Sequence, residues 1–436
     1  MKNFLCGILL CFMVLYAGTA HAVTLTSGQS TTGSVPLVGY DTQTFSGTTG
    51  QGVKLSATAT EANYFGITVQ VYKPDGTYYT QSTNGIQINS LPATGTYTLR
   101  LSTQSAIYAG GYRVDYVAGG EGVSSGSLTS GGSTSGSLVD NGLKSYTFNG
   151  TAGRAMQLNI GDAGYNTYCW FYKPDGTYWG SGTNGITAGT AVPVTGTYTM
   201  IVQGANFNDD GAYKTWYVEG NNAVADGAFA SGTVLNSSID MTNQLRSYTF
   251  NGTAGEGIQI NIGDAAYTAY SYIYKPDGSY WGYGATTGGP WTLPVTGTYT
   301  VVVWSPTYSA TGPYNLYYLR GADNVSEGWL VTGLARDGDE PQYGIKSYKF
   351  SGTSGQAVTI STTATGSYTR YLYVYKPDGS YWYYGSGTYG PYTLPATGVY
   401  TVSFQGIGGS SVGAYTITLT STQPSVPPPP PPYVPC

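Results

Sequence analysis

The sequence predicts an all-β chain of four tandem antiparallel β-sandwich domains, and three observations predict it. The 436 residues include 65 Gly and 44 Tyr, while only 9% are charged. Gly-rich turns between runs of Tyr, Thr and Val are strand composition, and helical periodicity is absent after the first residues. Three short markers then recur in a fixed order, four times over. Finally, the repeating unit is about 100 residues, longer than ordinary solenoid repeats and large enough to bury a sandwich core of its own.

The first marker is Phe45 to Gly50, matched by Phe148 to Gly153, Phe250 to Gly255 and Phe350 to Gly355. The second is Tyr-Lys-Pro-Asp-Gly, at Tyr72 to Gly76, Tyr172 to Gly176, Tyr274 to Gly278 and Tyr375 to Gly379. It reads as a β-hairpin tip. Pro presets φ for the first central position of a type I turn, Asp suits the next, and Gly takes the left-handed one that follows. The third is Gly95 to Thr98, matched by Gly196 to Thr199, Gly297 to Thr300 and Gly398 to Thr401. Its Gly-x-Tyr start predicts a tyrosine corner, with the phenol bonded to nearby backbone.

Taken in order, the chain opens on a secretory signal. Lys2 is the positive end, Phe4 to Tyr16 the apolar stretch, and Ala20-His21-Ala22 the cleavage site, with cutting expected before Val23. Cys6 and Cys11 each follow a leucine, which argues against lipidation. No later stretch is apolar enough for a transmembrane segment. Four sandwiches are expected at 23–118, 119–220, 221–322 and 323–421. In the second, strands are expected at Lys144 to Phe148, Ala155 to Ile160, Tyr168 to Tyr172, Tyr178-Trp179, Thr197 to Val202 and Tyr213 to Val218. Ala118 to Gly136 reads as a mobile Gly/Ser-rich linker. Pro427 to Pro432 begins a stiff polyproline tail ending at Cys436, either a partner handle or the way into a longer chain. In an oxidising compartment Cys436 is a candidate disulfide partner for another chain.

Processing removes His21, the only histidine, and leaves sixteen basic residues against twenty-two acidic ones. Histidine-dependent nucleophilic catalysis and His-based zinc sites are excluded on that ground. The sparse charge argues against nucleic acid, which needs clustered Lys and Arg. The closest acids, Asp209-Asp210 and Asp337-Gly-Asp339-Glu340, read as solvated turns, although Asp337, Asp339 and Glu340 are candidate hard-oxygen ligands for calcium. Cys169 is expected as a buried free thiol.

Period-two alternation separates the residues of the strand entering each tip. One face carries Tyr168, Trp170 and Tyr172 in the second unit, Tyr270, Tyr272 and Tyr274 in the third, and Tyr371, Tyr373 and Tyr375 in the fourth. The other carries Cys169 and Phe171, Ser271 and Ile273, and Leu372 and Val374, and is the expected core side. If Lys173 pairs with Thr177, then Tyr178 lies opposite Tyr172 and joins the tyrosine face, as do Tyr280 and Tyr381. Trp179, Trp281 and Trp382 then fall on the core side. In the first unit the tyrosine face reads only Thr68, Gln70 and Tyr72. Two readings stay open. The rings are an exposed platform that stacks on sugars, or they are cross-strand pairs covered by a neighbouring unit.

The second unit joins these pieces. Lys144-Ser-Tyr-Thr-Phe-Asn-Gly-Thr-Ala-Gly153 precedes an apolar strand. The tip, a Pro-x-Thr-Gly-Thr-Tyr strand and a closing Gly211-Ala-Tyr213 strand follow. This order resembles the bacterial pre-peptidase C-terminal (PPC) domain family, across nearly the whole processed chain. The resemblance implies small jelly-roll-like sandwiches, non-catalytic and secreted. It also implies calcium in some members and insoluble substrates such as collagen in others. The family's acidic residue before the hairpin strand is matched by Asp162 and Asp264. Glu61 stands in a shifted context, and the fourth unit has no match. The expected function is extracellular or cell-surface adhesion, through carbohydrate or a fibrous polymer. The alternatives are a structural stalk, or the N-terminal part of a larger secreted enzyme or surface protein.

Overall fold

The computed structural model describes residues 22–60, 66–104, 108–364, 370–406 and 412–422. The expected signal, Glu61, the proline run and Cys436 lie outside them. The described strands form eight sheets, two for each repeat, and none of the described residues is helical. The chain divides into two compact units, residues 1–118 and 119–436.

The third repeat shows the plan. One sheet runs Arg246–Gly252, Gly297–Trp304, Tyr270–Tyr274, Tyr280–Gly284. The other runs Val234–Ile239, Gly312–Arg320, Gly257–Gly263, Thr287–Thr292. Consecutive strands alternate between the sheets except at the tip hairpin, which is the connectivity of a jelly roll. Neighbours within both sheets are antiparallel. The first unit repeats this plan and adds a short parallel strand, Val23–Thr24 beside Gln43 and Thr44. Ser127–Leu128 does the same in the second repeat.

Alternation builds each core. In the third repeat Phe250, Ile258, Ile260, Ile273, Val301 and Leu316 fill the space between the sheets. Phe250 stacks on Tyr299 with ring centroids 5.0 Å apart, and Phe45–Tyr97, Phe148–Tyr198 and Phe350–Tyr400 match it at 5.1, 5.2 and 5.1 Å. The conserved geometry explains why the first and third markers travel together. The corner tyrosines donate to Ala93, Val194, Val295 and Ala396 carbonyls at 2.6–2.7 Å, so all four are structural. Cys169 is buried in the core of the second repeat, its Sγ 3.1 Å from the Gly182 carbonyl, and burial pushes the thiol up to about 12.

The linker expectation is corrected. Gly132–Leu138 is a full strand, paired along its length with Gly211–Glu219. Its Gly, Ser and Thr residues give no propensity signal. Its backbone is held by the partner strand, and only Leu138 is buried.

The tips behave as local turn chemistry requires. Lys173 N–H donates to the Thr177 carbonyl at 2.8 Å, and Gly176 takes φ = 80°. Asp175 Oδ1 accepts from both the backbone and hydroxyl of Thr177, which holds the carboxyl below its usual range. The tip lysines reach their own tip aspartates at 3.7–3.8 Å in the first, third and fourth repeats, exposed pairs of little energetic weight.

Within the second unit the tips also join one repeat to the previous one. Ala155 N–H donates to the Gly278 carbonyl, and the Gly220 N–H of the same repeat donates to the Ala155 carbonyl, both at 2.9 Å. Gly257, Gly379 and Gly321 repeat the arrangement one unit later, again at 2.9 Å. A Cβ on Gly220 or Gly321 would fall 2.3 or 2.2 Å from the tip carbonyl, so glycine is required for that approach.

Candidate functional site: the tyrosine faces

The tip pairing sets Tyr172 opposite Tyr178, Tyr274 opposite Tyr280 and Tyr375 opposite Tyr381. Trp179, Trp281 and Trp382 pack against the cores, as alternation requires. Each of these tryptophans is also the extra residue of a β-bulge. Phe171 faces Gly180, Ile273 faces Gly282, and Val374 faces Tyr383. A bulge advances the edge strand by one residue and changes which side chains share a face.

The bulge brings in residues that alternation alone misses. Tyr283 lies opposite Tyr272, and Tyr384 opposite Tyr373. They are 57% and 56% exposed, the most open rings of these faces. In the third repeat Tyr272 stacks on Tyr283 at 5.7 Å, and Tyr270 meets Tyr283 edge-on at 5.8 Å. Trp304, from the neighbouring strand, lies 6.2 Å from Tyr272. In the fourth repeat Tyr384 lies 6.0 and 6.4 Å from Tyr371 and Tyr373. The second repeat has Ser181 at this position, opposite Trp170. There Tyr168 stacks on Trp170 at 5.9 Å and is 42% exposed. The Trp-Gly pair leaving the second and third tips is the only local hint of the bulge.

The remaining platform residues divide. Trp170, Tyr178, Tyr270, Tyr272, Tyr371 and Tyr381 are half-buried, and Tyr280 is exposed at its edge. Tyr172, Tyr274, Tyr373 and Tyr375 are buried, which corrects their expected place on an open surface. Tyr274 packs with Ala155, Trp216 and Val218 of the second repeat, and Tyr375 with Tyr317 and Leu319 of the third. The rings nearest the third and fourth tips therefore plug the joints to the preceding repeats. Burial raises the Tyr272 and Tyr274 phenols, and pushes Tyr373 up to about 12. These rings stay neutral across the physiological range, acting as apolar faces and neutral hydrogen-bonding groups.

The calcium candidates do not converge. Asp162 and Asp264 sit in the left-handed region at φ = 53° and 55°, ending equivalent strands of different repeats. Asp264 Oδ2 accepts from Asn315 Nδ2 at 2.7 Å and from the Tyr317 hydroxyl at 2.9 Å. Asp162 N–H donates to Thr242 Oγ1 at 2.8 Å. Asp337, Asp339 and Glu340 lie on a strand, Ala335–Glu340, rather than in a turn. Alternation sends Glu340 inward, away from exposed Asp337 and Asp339, and its Oε2 accepts from Arg370 Nε at 3.1 Å. Asp337 Oδ1 accepts from the Thr416 hydroxyl at 2.6 Å. No cluster of three or more His, Cys, Asp or Glu suited to a metal ion occurs among the described residues. Among them, too, no helix is long and apolar enough to cross a membrane.

The geometry defines a tandem jelly-roll protein with aromatic strips on its sheets. No family model matches the chain. No curated protein matches it either. Among solved structures, the CUB1-EGF-CUB2 region of human MASP-1/3 aligns at 7% identity, over 43% of this chain and 99% of that one, with a TM-score of 0.14. PNGase F, a glycosylasparaginase from Flavobacterium meningosepticum, aligns at 10% identity over 44% and 100%, with a TM-score of 0.15. A triple jelly roll from an archaeal virus aligns at 8% identity over 91% and 89%, also at 0.15. Likenesses of this size carry no argument about what the chain does.

Proposed function

We propose that the chain is a secreted, non-catalytic binding protein of PPC-like modules, which uses its open tyrosine strips to hold carbohydrate or a fibrous polymer. One observation carries the reading: half-buried Tyr270, Tyr272 and Trp304 form a contiguous ring cluster with exposed Tyr283. Tyr272 and Trp304 also pack at the joint, so recognition leans on Tyr270 and Tyr283, which lie outside its buried cluster. Ring faces stack on the C–H faces of sugars, and the phenol hydroxyls bond sugar hydroxyls. The test is retention of the processed chain on insoluble polysaccharides and collagen, beside a Tyr270→Ser/Tyr283→Ser variant. Retention should fall at least tenfold with melting unchanged; equal retention would remove the platform. A second reading, a stalk, is favoured by the backbone bonds from the third and fourth tips to the preceding repeats. A chain that retains no polymer while melting as one joined unit over residues 119–422 fits that reading instead.

A further inference from the structure

A cleft of about 310 Å3 lies where the second and third repeats meet. Gln157, Asn159, Asn184, Asn243, Trp304 and Tyr308 line it, and no charged side chain does. Gln157 is 1% exposed, yet its Oε1 has no hydrogen-bond partner in the protein. The hydroxyl of Tyr308 is also buried and unpartnered. The Trp304 indole N–H is buried and faces the Tyr272 hydroxyl. Buried polar atoms are rarely left this way, because an unmade bond forfeits hydration without replacement. The Gln157 carbonyl and the Tyr308 hydroxyl call for a partner that enters the cleft.

The joint between the third and fourth repeats shows the same frame closed by the protein itself. Gln259 and Asn261 stand where Gln157 and Asn159 stand one repeat earlier. There the Ser403 hydroxyl donates to Gln259 Oε1, and Asn261 Nδ2 donates to Gln405 Oε1 at 2.6 Å. The residues in the places of Ser403 and Gln405 at the earlier joint are Val302 and Trp304. Val302 has no donor to offer Gln157, and Trp304 sets a ring where an amide would be. The cleft wall is nonetheless built. Asn159 Nδ2 donates to Asn243 O and Oδ1, both at 3.0 Å, and Asn243 Nδ2 donates to Ile160 O and Asn184 O at 2.9 and 3.0 Å. These bonds lock the amides in place rather than leaving them to fold inward.

We infer that this cleft is a binding site for a neutral saccharide of one or two rings. The inference rests on the carbohydrate-binding reading above and gives it a second site, which shares Trp304 with the strip. An acceptor carbonyl and a phenol match sugar hydroxyls, which donate and accept, while the Trp304 ring offers an apolar face. Ionic ligands are disfavoured because nothing in the cleft would pair their charge. The volume sits at the low end of the range of small-molecule sites, about 300–1,000 Å3.

The test titrates the whole processed chain with neutral mono-, di- and trisaccharides of glucose, galactose, xylose and N-acetylglucosamine. A uronic acid disaccharide serves as the charged control, and binding is followed by tryptophan fluorescence and calorimetry. At least one neutral sugar should bind, and Tyr308→Phe should weaken it about tenfold without moving the melting temperature, the effect of one lost hydrogen bond to ligand. The Val302→Ser/Trp304→Gln variant copies the closed joint and should abolish binding while staying folded. No response to any neutral sugar, equal binding by the uronate, or full binding by both variants would each overturn the site. Failure of this site differs from failure of the platform. Loss of polymer retention in Tyr270→Ser/Tyr283→Ser with no soluble-sugar binding removes the cleft alone. Unchanged retention in that variant, with sugar binding weakened by Tyr308→Phe, removes the platform alone.

Discussion

The joint between the second and third repeats and the joint between the third and fourth share one architecture and differ in how their polar layer is answered. In both, a tip carbonyl accepts from a backbone N–H of the preceding repeat, and a fully buried tyrosine, Tyr274 or Tyr375, fills the space behind. In both, a glutamine and an asparagine project from the preceding repeat. The later joint answers them with Ser403 and Gln405, although Gln259 Nε2 stays without a partner. The earlier joint sets Val302 and Trp304 there, and Gln157 Oε1 is left over beside a cleft. The difference teaches that docking is carried by backbone and by one tyrosine. The polar layer beside it is free to serve as a seal or as a site.

The largest test of that division removes the shared tyrosine. Tyr274→Ala and Tyr375→Ala should each cost about 3–5 kcal/mol, as truncation of a buried aromatic ring does. Chemical denaturation measures it, and a loss at one joint only would break the claimed equivalence.

A comparable effect tests whether polar insertion in the fourth repeat extends beyond its joint. Glu340 and Arg370 form a buried pair where the third repeat has Ile239 and Ala269, both fully buried. Arg370→Ala should cost about 3–5 kcal/mol by stranding a buried carboxylate, whereas Glu340→Ile with Arg370→Ala should be neutral or stabilising by up to about 4 kcal/mol. Burial pushes the Glu340 carboxyl up to about 7, with Arg370 opposing the shift. The folded form therefore holds its proton more tightly than the unfolded form. This contribution is fully present below about 4.3, the unfolded value, and is lost as pH rises through about 7. Melting of the fourth repeat should fall from pH 5 to pH 8, and that slope should vanish in the double variant; a slope that survives would point to another group.

Smaller effects address the amides directly. Gln259→Leu should cost about 1–3 kcal/mol, because Ser403 loses its acceptor, while Gln157→Leu should cost less, because it gives up only a 3.3 Å bond to Asn159 Oδ1. Equal costs would mean that the two joints are sealed alike. The smallest effect belongs to Tyr308→Phe, which should change stability by less than about 0.5 kcal/mol because the deleted hydroxyl has no partner in the protein. A larger loss would show that this hydroxyl is structural.

The tips, the corner tyrosines and the inward tryptophans were legible from residues alone, since each depends on contacts within a few positions or on simple alternation. Gly132–Leu138 was not, because a strand of Gly, Ser and Thr is held by the edge it meets and by no preference of its own. Tyr283 and Tyr384 escaped for another reason. Alternation holds only until a bulge, and the bulges at Trp281 and Trp382 shift the register by one residue. The acids at Asp337, Asp339 and Glu340 read as one cluster in sequence and part to opposite faces on a strand.

The sequence by itself determined the repeat, its all-β class and the face on which each tyrosine begins, because turn chemistry and the two-residue period are local. Tertiary structure decided which of those tyrosines are open. Tyr274 and Tyr283 belong to the same hairpin and to similar surroundings in sequence. One is sealed and the other exposed because the preceding repeat docks at the tip and stops short of the bulge. That choice rests on contacts between residues about a hundred positions apart, where no local pattern reaches.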